Sequence, residues 1–223
     1  MIISKIARGI LFLWGWNPID KDLWKQITYF DRSIWVYSHT SYFDICIVML
    51  YIIASDGKLS FVKTLVQPQA FENKFIGNIL TKLGAIKSSK LEDRGRNSVA
   101  TISEQLLTFE KFSFLISPKG TIKNKPWRTG YYHIAKRVGC PIEVVTLDYE
   151  TQQIVCKGWI EPMNYTEEEV QDFLKSELSE TVPLHPESEI FPVKSHSRLS
   201  RGVVSLKRYA IVLGAAMFYY LFV

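Results

Sequence analysis

The sequence is poor in cysteine: it has three, Cys46, Cys140 and Cys156, spread over 223 residues with no close pair. An odd and widely spaced set of thiols excludes a disulfide-scaffolded domain and offers no zinc-ligand spacing. We therefore interpret the three thiols as buried and inert, in a domain that occupies a reducing compartment.

Other chemical signatures are missing as well. The chain contains no Gly-x-Ser-x-Gly elbow, and none of its cysteines is placed like a catalytic thiol, which argues against a covalent acyl-enzyme. It has no internal repeat, and its apolar start lacks the small-residue site of a cleavable signal peptide. With 47% hydrophobic and 22% charged residues, the bulk of the chain is predicted to form one globular domain.

The amino end is the first of two apolar segments. Residues 1–17 are predicted to form an amphipathic helix, with Lys5 and Arg8 on its polar side. Its broad apolar face consists of Ile2, Ile3, Ile6, Ile10, Leu13 and Trp14. Such a helix either lies in a membrane interface or packs on its own domain.

The carboxyl end is the second apolar segment. Residues 203–223 can form about 31 Å of helix, enough to cross a hydrocarbon core of ~30 Å. Basic residues precede this segment, so the positive-inside rule places the main domain on the cytosolic side. We predict a linker over residues 181–202 and a membrane anchor over 203–223, with a buried helix as the alternative to the anchor.

Short apolar runs alternate with helical patterns between these ends, which is typical of an α/β domain. We predict a single domain over residues 18–180, with a largely parallel or mixed sheet flanked by helices. The predicted strands are 34–37, 59–62, 85–87, 112–116, 142–147 and 154–157, and the predicted helices are 45–54, 72–83, 97–109, 131–138 and 166–179.

The first predicted strand leads into a loop that contains His39, and Asp44 follows five residues later at the start of a helix. In one continuous helix the two side chains would point about 140° apart. A histidine in the loop instead lets the carboxylate of the first helical turn reach back to it, fix its tautomer and leave the other nitrogen as a general base. A surface histidine beside a helix-start carboxylate would show the same spacing, so context has to decide.

A second stretch, residues 117–122, joins a buried strand to a turn. Gly120 and Thr121 in this turn can approach a substrate closely. The turn is surrounded by positive charge suited to a phosphate, from Lys119, Lys123, Lys125 and Arg128. An ordinary basic loop would have the same composition.

Four blocks of the chain resemble those of the glycerolipid acyltransferase superfamily, whose best-known members acylate lysophosphatidic acid. His39-Thr-Ser-Tyr-Phe-Asp44 resembles the His-x4-Asp motif. Residues 83–90 are similar to the second block, usually Gly-Gly-Ile-Pro followed by an arginine that contacts phosphate. Residues 117–122 resemble the third, usually Pro-Glu-Gly-Thr-Arg, and residues 140–145 the fourth, an apolar strand with a proline.

This resemblance implies that His39 is the general base and that Asp44 orients it. It further implies an acyl thioester of coenzyme A or acyl carrier protein as donor, a hydrophobic groove for the acyl chain, and no metal or prosthetic group. The substrate-binding residues that it implies are Lys90, Lys119, Gly120 and Thr121. Lys119 and Lys90 stand where the family has glutamate and arginine, and Ile122 replaces a second arginine, so the acceptor is less clearly indicated than acyl transfer.

We therefore expect a membrane-associated glycerolipid O-acyltransferase of phospholipid biosynthesis, with membrane lipids as partners and its catalytic domain on the cytosolic side. The altered third block favours one alternative, a catalytically silent relative that binds lipid or a partner. The net charge of +5 also suits nucleic acid, but no nucleic-acid motif accompanies it, and none is expected as a partner. The sequence gives no signal for an oligomeric state.

Overall fold

The chain alternates between helices and strands, as its apolar pattern predicts. A computed structural model describes residues 2–17, 25–55, 60–66, 68–82, 84–87 and 96–195. Its helices include α1 (Ile2–Leu13), α2 (Tyr42–Ala54), α3 (Lys74–Lys82), α4 (Arg96–Leu107), α5 (Gly130–Val138) and α6 (Glu167–Ser179). Its strands are β1 (Arg32–Val36), β2 (Val62–Val66), β3 (Ala85–Lys87), β4 (Phe112–Ile116), β5 (Ile142–Asp148) and β6 (Gln153–Ile160).

The six strands form one mixed sheet in the order β3-β2-β4-β1-β5-β6. All neighbouring pairs are parallel except β5 and β6, which form an antiparallel pair. The expected single α/β domain with a mixed sheet flanked by helices is confirmed. Because β1 lies parallel between β4 and β5, the loops that follow these three strands meet at one edge of the sheet.

The two faces of the sheet are covered by different helices, and side chains along each strand alternate between them. Ile34 and Val36 of β1 are fully buried in the cluster that includes α4, α5 and α6. Trp35, between them, belongs to the opposite cluster, which includes Ile52 of α2. Burial on both faces explains why the central strands read as apolar runs.

Helix α1 packs against α2 and also keeps an apolar face outward. Ala7 and Leu11 are buried in a cluster with Phe43 and Ile47 of α2. The exposed residues of the predicted apolar face are Ile2 at 75%, Ile3 at 70%, Ile6 at 57% and Leu13 at 79%. The helix therefore packs on its own domain through Ala7, Leu11 and Trp14, the last of these from the predicted face, and leaves the other four side chains named here exposed.

The main departure from the predicted elements is β2, expected over residues 59–62 and observed at Val62–Val66. Residues 59–66 contain two comparable apolar runs, so the local pattern does not choose between them. Pairing with the neighbouring strands fixes the position of β2, since Val62 lies opposite Ser113 of β4 and Thr64 lies opposite Ala85 of β3.

The segment after α6 lies against the domain. Val182 and Leu184, at the start of the predicted linker over residues 181–202, are only 4% and 5% exposed. The backbone N–H of Tyr149 donates to Val182 O at 2.8 Å. The predicted anchor over residues 203–223 lies outside the described residues, and within those residues no helix has the length and apolarity to cross a bilayer.

Candidate active site

The loop that carries His39 is fixed by both strands that flank β1. On the β4 side, Tyr37 N donates to Ile116 O at 3.3 Å. On the β5 side, Ser38 N donates to Thr146 Oγ1 at 3.2 Å. His39 is 9% exposed, so the parallel sheet holds an almost buried imidazole at its carboxyl edge.

Asp44 joins this loop to the start of α2. The helix opens with a capping box in which Ser41 is the N-cap and Asp44 is the third helical residue. Asp44 Oδ2 accepts hydrogen bonds from Thr40 N at 2.8 Å and Ser41 N at 2.9 Å, and it lies 3.2 Å from His39 Nδ1. Asp44 is 1% exposed, so the pair is not the surface arrangement that the spacing alone allowed.

A tyrosine that the sequence did not single out completes the environment of Asp44. Tyr149, in the turn after β5, donates its hydroxyl to Asp44 Oδ1 at 2.5 Å. Burial, and then the charge of Asp44, raise the pKa of Tyr149 well above its usual value, so the phenol remains a donor. The sequence contained one indication of this role. Tyr149 follows a predicted strand, and in the structure that strand lies next to β1, so their carboxyl ends meet.

These contacts suit His39 to general-base chemistry. When Nδ1 donates to Asp44, Nε2 carries the lone pair and can take a proton. The His39 side chain keeps 11% of its surface exposed, so the ring is not completely closed off from solvent. The Tyr37 ring lies beside the imidazole, with 5.5 Å between ring centroids.

The loop after β4 reaches the same edge of the sheet. Gly120 has a φ of +60°, a conformation that favours glycine. Thr121 is half-buried and accepts a hydrogen bond from Lys123 N at 3.3 Å. Lys119, expected to face substrate, is 2% exposed, and its Nζ donates to Ser188 O at 2.9 Å and to Glu189 Oε1 at 3.0 Å. The exposed cations of this loop are Lys123, Lys125 and Arg128.

The remaining candidate groups lie elsewhere. Lys90, the expected phosphate ligand of the second block, lies outside the described residues. Burial raises the pKa of Cys140 and of Cys156 to about 12, so neither is a thiolate at neutral pH, although only Cys140 is fully buried. Within the described ranges, no group of three or more His, Cys, Asp or Glu residues is placed to hold a metal ion.

An apolar cavity lies between the sheet and α2, close to the catalytic loop. Strand residues form one wall, and Val48, Tyr51 and Ile52 of α2 form the other. Tyr37 lines this cavity and also contacts His39, so the cavity adjoins the candidate base. The strand residues that line it are Trp35, Tyr37, Val62, Leu115, Val145, Thr146, Leu147 and Ile154.

The region that contains His39 and Asp44 matches a known family model. The family model described as Acyltransferase matches residues 25–148, more than half of the chain. The matched region contains His39, Asp44 and the loop after β4, and it ends just before Tyr149. No curated protein matches the chain.

Proposed function

The chain belongs to the acyltransferase family, and on this premise we propose that it moves a fatty acyl group from a thioester to a hydroxyl. The proposed donor is acyl-CoA or an acyl carrier protein. The proposed acceptor is a lysophospholipid or glycerol phosphate. The observation that carries the proposal is the buried pair of His39 and Asp44, with 3.2 Å between Nδ1 and Oδ2.

In the proposed reaction, His39 Nε2 takes the proton from the acceptor hydroxyl as its oxygen attacks the thioester carbonyl. The carbon–oxygen bond forms and the carbon–sulfur bond breaks through a tetrahedral intermediate. The departing thiolate recovers the proton from the imidazolium. Asp44 stabilises the positive charge that develops on His39 in between.

The loop after β4 is the proposed acceptor site. Gly120 and Thr121 offer a close backbone approach, and the exposed Lys123, Lys125 and Arg128 offer charge for a phosphate. Lys119, held in its ion pair with Glu189, is proposed to shape the acceptor site without contacting the phosphate, whereas Lys90 keeps the role that the second block implies. The sequestered Lys119 is also the observation that favours the second candidate, a silent lipid-binding relative.

The apolar cavity beside His39 has a volume of about 30 Å³, and it is proposed to widen to receive the acyl chain. It is lined almost entirely by apolar side chains, which suits a hydrocarbon and disfavours a headgroup. The exposed apolar face of α1, with Lys5 and Arg8 nearby, supports a location on the surface of an anionic membrane, and the positive-inside rule applied to the basic residues before position 203 makes the cytosolic side the proposed one.

The test is to incubate purified protein with labelled acyl-CoA or acyl carrier protein and a panel of lysolipids and glycerol phosphate. Transfer is expected with wild type and is expected to fall by about 10²–10⁴ in His39→Ala. Asp44→Asn is expected to be impaired through the wrong tautomer. His133→Ala, which removes an exposed histidine far along the chain, is the matched control. Wild-type turnover in His39→Ala would exclude His39 as the base.

A further inference from the structure

We propose that Glu189 is a positioning residue of this site. Its carboxylate ties the loop that carries His39 to the loop that carries Gly120. The inference rests on the proposed function for its activity readout, and it adds a residue that lies 41 positions beyond the end of the family match at residue 148.

The carboxylate of Glu189 joins two loops at a buried point. Its Oε1 accepts hydrogen bonds from Ser38 Oγ and from Lys119 Nζ, the latter at 3.0 Å. Ser38 immediately precedes His39, and Lys119 immediately precedes Gly120. The side chains of Lys119 and Glu189 are each 1% exposed, so solvent does not screen their attraction.

The main chain around Glu189 is also hydrogen-bonded to the loop after β4. Asn124 Nδ2 donates to Glu189 O at 3.2 Å. Lys119 Nζ also donates to Ser188 O at 2.9 Å. The segment therefore contacts the loop after β4 at two positions, 119 and 124.

The same segment contacts the other neighbour of His39. The backbone N–H of His185 donates to Thr40 Oγ1 at 3.4 Å. Residues 185–189, which we call the clamp segment, thus hold Ser38 on one side of His39 and Thr40 on the other. Holding both neighbours of His39 fixes the backbone from which its imidazole reaches Asp44.

A contribution to folding stability does not by itself explain why a buried ion pair of Lys119 and Glu189 occupies this position. Two apolar side chains of similar volume commonly replace a buried ion pair without loss, because desolvation offsets much of the attraction between the charges. What an apolar pair cannot do is accept the hydrogen bond from Ser38. The third block here has Lys119 where the resembled family has glutamate, and Glu189 brings a carboxylate to that point from a distant part of the chain.

The decisive variant is the double substitution Lys119→Met with Glu189→Leu, which removes both charges together and leaves neither a buried cation nor a buried carboxylate unpaired. We expect the variant to fold with a melting temperature several degrees below that of wild type, because Ser38 Oγ and Ser188 O each lose one hydrogen-bond partner. We expect kcat to fall by about tenfold to a hundredfold, as small displacements of catalytic groups do, with the KM for the acyl donor changed by less than about threefold.

A second pair of variants tests whether opposite charges are needed at positions 119 and 189. Lys119→Glu places two carboxylates together and is expected to lose activity and stability. Adding Glu189→Lys restores opposite charges and is expected to recover a large part of both. Glu180→Gln is the matched control, since it breaks an exposed ion pair with Lys194 near the same segment, and its kcat should stay within about twofold of wild type.

The outcomes separate this inference from the proposed function. If wild type transfers acyl groups and the folded Met/Leu double variant keeps wild-type kcat, Glu189 does not position His39. The same conclusion follows if Glu189→Lys fails to improve Lys119→Glu in a protein that is folded. If wild type itself transfers no acyl group to any acceptor tested, the proposed function fails instead.

Discussion

The Tyr149 hydroxyl and the His39 imidazole bind opposite oxygens of one carboxylate: Tyr149 donates to Asp44 Oδ1 and His39 lies against Oδ2. Oδ2 also accepts two backbone N–H groups, so Oδ1 depends on the tyrosine for its hydrogen bond among the contacts described here. A buried carboxylate that loses a donor is less well fixed and less well solvated.

Tyr149→Phe is therefore expected to lower kcat by about tenfold and to cost about 1–3 kcal/mol in the free energy of unfolding. Steady-state kinetics and denaturant unfolding measure the two effects. Tyr132→Phe is the control, because the hydrogen bonds that it removes, to Tyr165 O and from Lys136 Nζ, lie away from the site. Equal activity losses in the two variants would contradict a specific role for Tyr149.

Ile122→Arg restores one cation that the resembled third block carries. A charged hydrogen bond contributes about 1.5–3 kcal/mol, so preference for a phosphate monoester acceptor over a lysophospholipid with a larger headgroup should rise by about tenfold or more. Ser176→Arg, at an exposed position of α6, adds the same charge elsewhere and should leave selectivity unchanged. Lys119→Glu is unsuitable as part of this test, since it would bring a carboxylate against Glu189.

Glu143 provides a test of pH-dependent stability. It is 2% exposed on β5 and accepts a hydrogen bond from Trp35 Nε1 at 3.0 Å. Burial raises the pKa of Glu143, and hydrogen bonds from Ser33 and Trp35 offset part of the rise. The folded state therefore holds this proton at pH values where the unfolded state has released it, and stability falls as pH rises from the ordinary carboxyl pKa through the raised one.

Glu143→Gln removes that ionisation. The free energy of unfolding of the variant, minus that of wild type, should become more positive as pH is raised from 4 towards neutrality. Chemical denaturation across this range measures it. A difference that stays constant with pH would show that Glu143 has the same pKa in both states.

Gly84 is expected to tolerate no side chain. It has a φ of +86°, and an added Cβ would lie 2.1 Å from Val62 O, a backbone atom of β2. Gly84→Ala should cost more than about 3 kcal/mol in unfolding free energy. Gly139→Ala is the matched control, with a φ of +71° and no atom within 4 Å, and should cost about 1–2 kcal/mol from backbone strain alone.

The exposed face of α1 is expected to bind membranes. Replacing Ile2, Ile3 and Ile6 with serine should weaken co-sedimentation with phosphatidylserine-containing vesicles by about tenfold or more, since the apolar area is lost. Deleting residues 1–16 is a poorer test, because it also removes Ala7, Leu11 and Trp16 from the core. Removing residues 203–223 should weaken binding further if that segment is an anchor.

Control substitutions for the α1 test come from exposed apolar residues elsewhere. Replacement of Leu107, Met163 and Tyr165 with serine removes side chains that are 44%, 56% and 46% exposed. Binding to vesicles should persist in this triple variant. Equal losses in the two triple variants would contradict a specific role for α1.

The local sequence pattern predicted most of the helices and strands, and of the site it predicted the pair of His39 and Asp44. The helix after Thr166 begins with the predicted capping box, because Thr166 and Glu169 make both reciprocal hydrogen bonds within four residues. Asp44 was predicted to reach His39 for the same kind of reason, since five residues of chain limit where each can go. The position of β2 was missed, because strand pairing is made with residues far away in sequence.

The sequence by itself determined the order of elements, the α/β class and the placement of His39 and Asp44 at a strand-to-helix junction, since periodicity and short loops are local properties. Only the tertiary structure decided which distant groups complete the site. Tyr149 reaches Asp44 across 105 positions, and Glu189 reaches Ser38 across 151. No local pattern encodes such contacts, because they arise only when strands far apart in sequence pair in one sheet and the chain after α6 folds back over its edge.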